Sequence, residues 1–166
     1  KPVPGLKLEV QRADGSPGDV GEIGELMLWR TDGWLSTKDR AKIDADGYFY
    51  HCGRAADVII SAGWTMSAVE IENTMLRHES VLECGVIGVP DEQRGQVVKA
   101  FVVANCDGSE GLTRSLQDFT RERLAQHEFP RVIEYVSELP KNPAGKVNRK
   151  KLRDLEAERA AVAAGG

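Results

Sequence analysis

The 166-residue chain has no long apolar run, no excess of basic residues and no paired cysteine pattern. Each lack excludes a class of function. No segment approaches the roughly 20 consecutive apolar residues that a membrane-spanning helix needs. The opening Lys1-Pro2-Val3-Pro4 lacks the apolar core of a secretory signal, so a cytoplasmic protein is expected. The formal net charge is −4, and no global positive field argues for a nucleic-acid partner. Cys52, Cys84 and Cys106 are odd in number and widely spaced, and they make neither a disulfide framework nor a CxxC metal site. Cys84 and Cys106 lie in apolar runs and are expected as buried thiols. His51, His78 and His127 show no metal-ligand spacing and are expected as structural or surface residues, so no metal ligand is assigned. There is no Gly-rich Ser/Thr loop to cradle phosphates, and no internal repeat.

What is present is an ordinary globular composition, 41% hydrophobic and 29% charged, in a chain long enough to bury a core. Residues 6–10 and 22–30 alternate apolar and polar and predict strands, split by the turn-rich Asp14-Gly15-Ser16-Pro17-Gly18. Asp44-Ala45-Asp46-Gly47 predicts a hairpin turn into the aromatic strand Tyr48-Phe49-Tyr50. Residues 1–52 therefore read as all-β in short strands. From about residue 54 the pattern changes. Asp57–Ala62 reads as a short strand, and Ser67-Ala68-Val69-Glu70 as a capping box opening a helix to about His78, with Ala68, Ile71, Met75 and Leu76 near one face. The β-branched runs Val81–Val89 and Val97–Ala104 predict buried strands. Ser115–Gln126 predicts a second amphipathic helix, Arg131–Val136 a strand, and Lys150–Ala164 a charged terminal helix fraying near Gly165-Gly166. The class is α+β, a central sheet flanked by helices after a short-stranded all-β part, with the boundary near Gly53-Arg54.

Four segments carry chemistry. Gly33-Trp34-Leu35-Ser36-Thr37-Lys38-Asp39 ends in a carboxylate able to accept hydrogen bonds from two vicinal hydroxyls, or simply a solvated turn Asp. Gly53-Arg54-Ala55-Ala56-Asp57 brings a guanidinium suited to sugar and phosphate oxygens, or to a surface ion pair. It runs on through Ser61-Ala62-Gly63-Trp64 to Glu70-Ile71-Glu72. Trp64 is either a flat apolar wall or a core or domain-interface tryptophan. The third segment is Gly88-Val89-Pro90-Asp91 with Arg94-Gly95. The fourth is Pro140-Lys141-Asn142-Pro143-Ala144-Gly145-Lys146-Val147-Asn148-Arg149. Alone it is a basic loop before a helix. It can equally deliver one long cation, Lys146, to an anion.

In order and spacing, these four segments resemble the carboxyl-terminal part of the acyl-adenylate-forming superfamily, over nearly the whole chain. That superfamily includes acyl-CoA synthetases, adenylation domains of peptide synthetases and luciferases. The resemblance implies that residues 1–53 end a large amino-terminal adenylating domain and that residues 54–166 are a small mobile domain hinged near 54–57. It implies ATP, AMP and coenzyme A as ligands, with Mg2+ expected alongside ATP but no ligand for it in this chain. It assigns Asp39 and Arg54 to the nucleotide, Gly63 and Trp64 to the channel for the pantetheine arm of CoA, and Lys146 to catalysis of adenylation. It makes Lys146 a target for a lysine acetyltransferase, which would delete the charge.

Three departures stand out. Lys38 occupies a position usually held by Gly. Ala56 occupies the hinge position where Asp or Lys is usual, with Asp57 one residue later. The join between the Gly-Glu strand and the Gly-Trp segment, Glu25 to Trp34, is abrupt where a longer loop is usual. It is expected as a deletion or a missing loop.

The acyl pocket and the aromatic segment that packs on adenine lie upstream in the family, so the chain reads as a fragment. The expected function is that of an acid–thiol ligase, which joins a carboxylic acid to CoA through an acyl-adenylate. Lys146 acts only when the small domain closes over its larger partner domain. The alternatives are an adenylation domain loading a carrier protein, which no carrier segment follows here, and a noncatalytic α+β interaction module.

Overall fold

The computed structural model describes residues 1–164, which divide into two compact units. One contains Lys1–Val58 and Thr65–Ser67; the other contains Ile59–Trp64 and the residues from Ala68 onward. The class is α+β, with three α-helices and three sheets among the described residues.

In the first unit, β1 (Leu8–Gln11), β2 (Gly24–Arg30), β3 (Gly33–Ile43) and β4 (Phe49–Arg54) pair antiparallel in that order. Alternation sends Val10, Ala41 and Cys52 inward. The Asp44 turn forms as expected: its carboxylate accepts from the Tyr48 amide at 2.9 Å, the Tyr50 hydroxyl at 2.8 Å and the Asp46 amide at 3.0 Å. These bonds, led by that of Tyr48, hold the Asp44 carboxyl below its ordinary range. The abrupt join closes as a tight hairpin. Arg30 pairs with Gly33, and Trp29 meets Trp34 edge-on with ring centroids 5.2 Å apart. The Lys7 ammonium lies 5.4 and 5.2 Å from these two rings, within cation–π range.

A 3-10 turn, Ala55–Asp57, follows β4. The chain then passes from one unit to the other through the hairpin of β5 (Val58–Ser61) and β6 (Trp64–Ser67).

The second unit contains α1 (Ala68–Met75), β7 (Val81–Asp91), β8 (Gly95–Ala104), α2 (Glu110–Arg121), β9 (Val132–Tyr135) and α3 (Arg149–Ala164). β7 and β8 form an antiparallel hairpin, and α2 crosses over so that β9 lies parallel to β8. The Asp91–Gly95 motif is the hairpin turn itself: Asp91 Oδ1 accepts from the amides of Gln93 and Arg94. Ile71, Met75, Val86, Val102 and Leu116 are fully buried in the core. Each such side chain contributes about 1.5–3 kcal/mol by leaving water. Ile87, Phe101, Leu139 and Leu152 form a cluster on which Val147 packs. Lys99, in β8, lies between Glu134 and Glu156 at 2.8 and 2.7 Å and ties α3 to the sheet. Burial pulls the Lys99 ammonium down, but the two hydrogen-bonded carboxylates more than offset this and its pKa lies above the ordinary value.

Three expectations need correction. α1 ends at Met75, so Leu76 is exposed rather than inward. α2 begins at Glu110, not Ser115, because the Ser109 hydroxyl caps it and accepts from the Leu112 amide at 3.1 Å. Cys84 is buried, which pushes its thiol pKa up, but Cys106 is exposed because β8 has already ended at Ala104. The expected fraying at Gly165-Gly166 lies outside the described residues.

Candidate active site

The candidate residues fall on both units, and each unit presents its own group. In the first, the residue pairing of β3 with β4 sets Asp39 opposite Arg54. The Arg54 Nε lies 2.9 Å from Asp39 Oδ1, and His51 Nε2 lies 3.7 Å from the same oxygen. The pair is open to solvent, with 67% of the Arg54 side chain and 26% of the Asp39 side chain exposed. One carboxylate oxygen is thus engaged from the side while the other can still accept. Lys38, immediately before Asp39, has φ of +64°, a left-handed conformation that costs a non-glycine residue about 1–2 kcal/mol. This accounts for the usual preference for glycine there.

The hinge candidates sit in the 3-10 turn after β4. Asp57 Oδ2 accepts from the Arg54 amide at 3.2 Å, bracing the turn from its far end. Ala56 is exposed in the middle of it.

In the second unit, Ala62 and Gly63 turn the chain with φ of +49° and +83°. The space beside Gly63 is open, so the demand on this residue is conformational rather than steric. The Ala62 amide donates to the Arg94 carbonyl at 2.9 Å and seats this turn on the β7–β8 hairpin. Trp64 is 57% exposed, and its ring stacks on His127 with centroids 4.2 Å apart and planes 22° from parallel. Sequence reading gave His127 no role, since nothing local links it to a residue 63 positions away. A basic group belongs to the same unit: burial, then the charges of Arg94 and Arg121, hold the Arg131 guanidinium below its ordinary pKa.

Lys146 stands on a loop braced mainly by one side chain. Asn142 Oδ1 accepts from the Ala144 and Lys146 amides, both at 3.0 Å. The Asn142 amide donates to the Lys146 carbonyl at 2.8 Å, and Gly145 takes φ of +76°. The backbone of Lys146 is therefore fixed. Its side chain is exposed, and its ammonium has no hydrogen bond or ion pair among the described residues. Such a group is available to an incoming anion. No three His, Cys, Asp or Glu residues gather into a metal-binding cluster among the described residues. No helix among them is long and apolar enough to cross a membrane.

Residues 70–146 match the family described as the AMP-binding enzyme C-terminal domain. The mitochondrial acyl-coenzyme A synthetase ACSM4 of Mus musculus is 45% identical over 128 residues, covering 75% of this chain and 22% of the mouse protein. The uncharacterized acyl-CoA ligase YtcI of Bacillus subtilis (strain 168) is 36% identical over 178 residues, covering 94% of this chain and 34% of that protein. That alignment is longer than the 166-residue chain, so the relative carries an insertion where this chain has none. The solved anthranilate CoA ligase AuaEII in complex with anthranoyl-AMP superposes with a TM-score of 0.84 at 37% identity, covering 97% of this chain and 34% of the ligase. The chain thus spans between 22% and 34% of the length of these relatives.

Proposed function

From the AMP-binding, acyl-adenylate-forming superfamily, to which this chain belongs as a carboxyl-terminal part, we propose that its parent enzyme is an AMP-forming acid–CoA ligase. In the first half-reaction a carboxylate attacks the α-phosphorus of ATP; the bond to the pyrophosphate oxygen breaks, giving acyl-AMP and pyrophosphate. In the second, the CoA thiol loses its proton and attacks the acyl carbon, and AMP leaves.

The observation that carries this reading is Lys146, an unpaired ammonium among the described residues on a backbone fixed by Asn142. Bringing a carboxylate to a triphosphate opposes two anions and builds charge on the transferring phosphoryl group, and a preorganised cation offsets both. Asp39 holds the ribose hydroxyls, oriented by Arg54, which also reaches the nucleotide. Gly63 and Trp64 line the pantetheine channel, and the stacked His127 extends that wall.

In this proposal residues 1–53 close the large adenylating domain. Residues 54–166 are the small domain, which swings about Ala56 and Asp57 to exchange Lys146 for the Gly63–Trp64 turn. The carboxylic acid and the large domain are its partners, and acetylation of Lys146 by a lysine acetyltransferase switches off the first half-reaction. Mg2+ travels with the phosphates of ATP, and no residue here is assigned to it. Cytoplasmic residence is part of the proposal, although ACSM4 is mitochondrial by name.

The test uses the full-length parent enzyme. Acid-dependent pyrophosphate release, followed by CoA-dependent release of AMP, is expected. Adenylation without transfer to free CoA would favour a carrier-protein loader. No acid-dependent pyrophosphate release would leave the noncatalytic module.

A further inference from the structure

The Lys146 loop is seated on β7 at three successive points, and one of them is buried and ionic. At the start of the loop, the Lys141 Nζ lies 2.7 Å from Glu83 Oε1. In its middle, Val147 and Leu152 close over Gly85. A Cβ on that glycine would stand 3.0 Å from the Val147 side chain and 2.9 Å from that of Leu152, so a larger residue would have to push both aside. At the end of the loop, Arg149 opens α3 and grips Glu72 of α1 with both Nε, at 2.7 Å, and Nη2. Glu72 Oε1 also accepts from the Val86 amide at 2.8 Å. This carboxylate is buried, and a fork and a backbone amide satisfy it together.

A buried pair of this kind is weak as a source of net stability, because desolvation offsets most of its attraction. Its value lies in geometry: two parallel bonds fix Arg149 in direction as well as distance. Arg149 stands three residues after Lys146, across a short and well-anchored stretch of backbone. The Asn148 amide donates to the Pro140 carbonyl at 2.7 Å, and Val147 is bridged to Lys141.

We propose that Glu72 and Arg149 are positioning residues for Lys146. The pair aims the ammonium at the reacting phosphate and serves adenylation specifically. The inference rests on the proposed role of Lys146. Thioester formation, which follows withdrawal of that lysine, does not need the pair.

The experiment uses the full-length parent enzyme and its two half-reactions. Glu72→Gln keeps the shape of the side chain and the bond from the Val86 amide, but loses the charge that holds the fork. Arg149→Lys keeps the charge but loses the fork, and it serves where Glu72→Gln fails to fold. Both are expected to lower kcat for acid-dependent ATP–pyrophosphate exchange by roughly tenfold to a hundredfold, the scale of a displacement of about 1 Å at a reacting group. KM for ATP and thioesterification of a supplied acyl-adenylate should stay within about twofold of the unsubstituted enzyme. Equal losses in both half-reactions, or unaltered exchange in a folded variant, would overturn the proposal and leave the pair a clamp of the fold. Lys146→Ala run alongside separates the two levels. If it keeps exchange, the functional reading itself fails. If it loses exchange while Glu72→Gln does not, the positioning role alone fails.

Discussion

Asp39 and Lys146 carry opposite charges, sit in different units, and are held in opposite ways. Asp39 is presented from a strand, and its carboxylate is already engaged by Arg54 at 2.9 Å. Lys146 is presented from a loop whose backbone is tied down, while its ammonium has no partner among the described residues. The difference follows the work proposed for each. A ribose diol is neutral, and a carboxylate that must grip it in every turnover loses little by keeping a permanent counter-ion. A cation needed only while a phosphoryl group is being transferred would lose its reach if a carboxylate already held it. In the proposed reading the binding carboxylate comes paired and the cation that acts in the transition state comes free.

The comparison predicts different kinetic signatures. The largest effect is expected for Lys146→Ala in the parent enzyme. Acyl-adenylate formation should fall by roughly a hundredfold to a thousandfold, as for other lost transition-state donors, while thioesterification of a supplied acyl-adenylate survives. Retained ATP–pyrophosphate exchange would break the contrast at once. Asp39→Asn comes next. It removes the charge from the carboxylate proposed to accept from the ribose, and a hydrogen bond to a charged group is worth about 1.5–3 kcal/mol. That should appear as roughly a tenfold or greater rise in KM for ATP with little change in kcat. A fall in kcat alone would make Asp39 an actor of the same kind as Lys146. The smallest effect is expected at Ala56→Asp, less than about tenfold in either half-reaction. It should alter the ratio of the two rates, because a carboxylate in the turn can make ionic contacts that alanine cannot. A uniform change in both, or none, would show that the hinge works without charge at this position.

Local signals in the sequence carried much of this architecture. Alternation marked β1 and β2, the Asp44 turn was visible in its residue types, and the β-branched runs marked β7 and β8. The start of α2 was less legible. Gly108 and Gly111 disguised Ser109 as part of a loop, so the first turn of α2 was not recognised. The segment from Glu25 to Trp34 is abrupt beside the longer loop usual in the family it resembles. Yet Arg30 and Gly33 pair across a two-residue turn with no strain beyond a glycine at φ of +140°. The site divides in the same manner. Lys146, Asp39, Arg54 and Trp64 stand in recognisable local contexts. Their supports do not: Glu72 and Arg149 are 77 residues apart, and nothing in either segment names the other. Such partners become visible only when the packing of α1 and α3 against β7 brings them together.

The residue after Asn142 gives the loop a chemical durability. An asparagine side chain ordinarily ages when the nitrogen of the next residue attacks its amide and closes a succinimide, which reopens as aspartate. Here the next residue is Pro143, whose nitrogen carries no hydrogen. That route is closed to the side chain that holds the Ala144 and Lys146 amides. Deamidation would replace with a carboxylate the amide that braces the backbone of Lys146. The proline that stiffens the approach to the loop therefore also shields this brace from slow chemical damage.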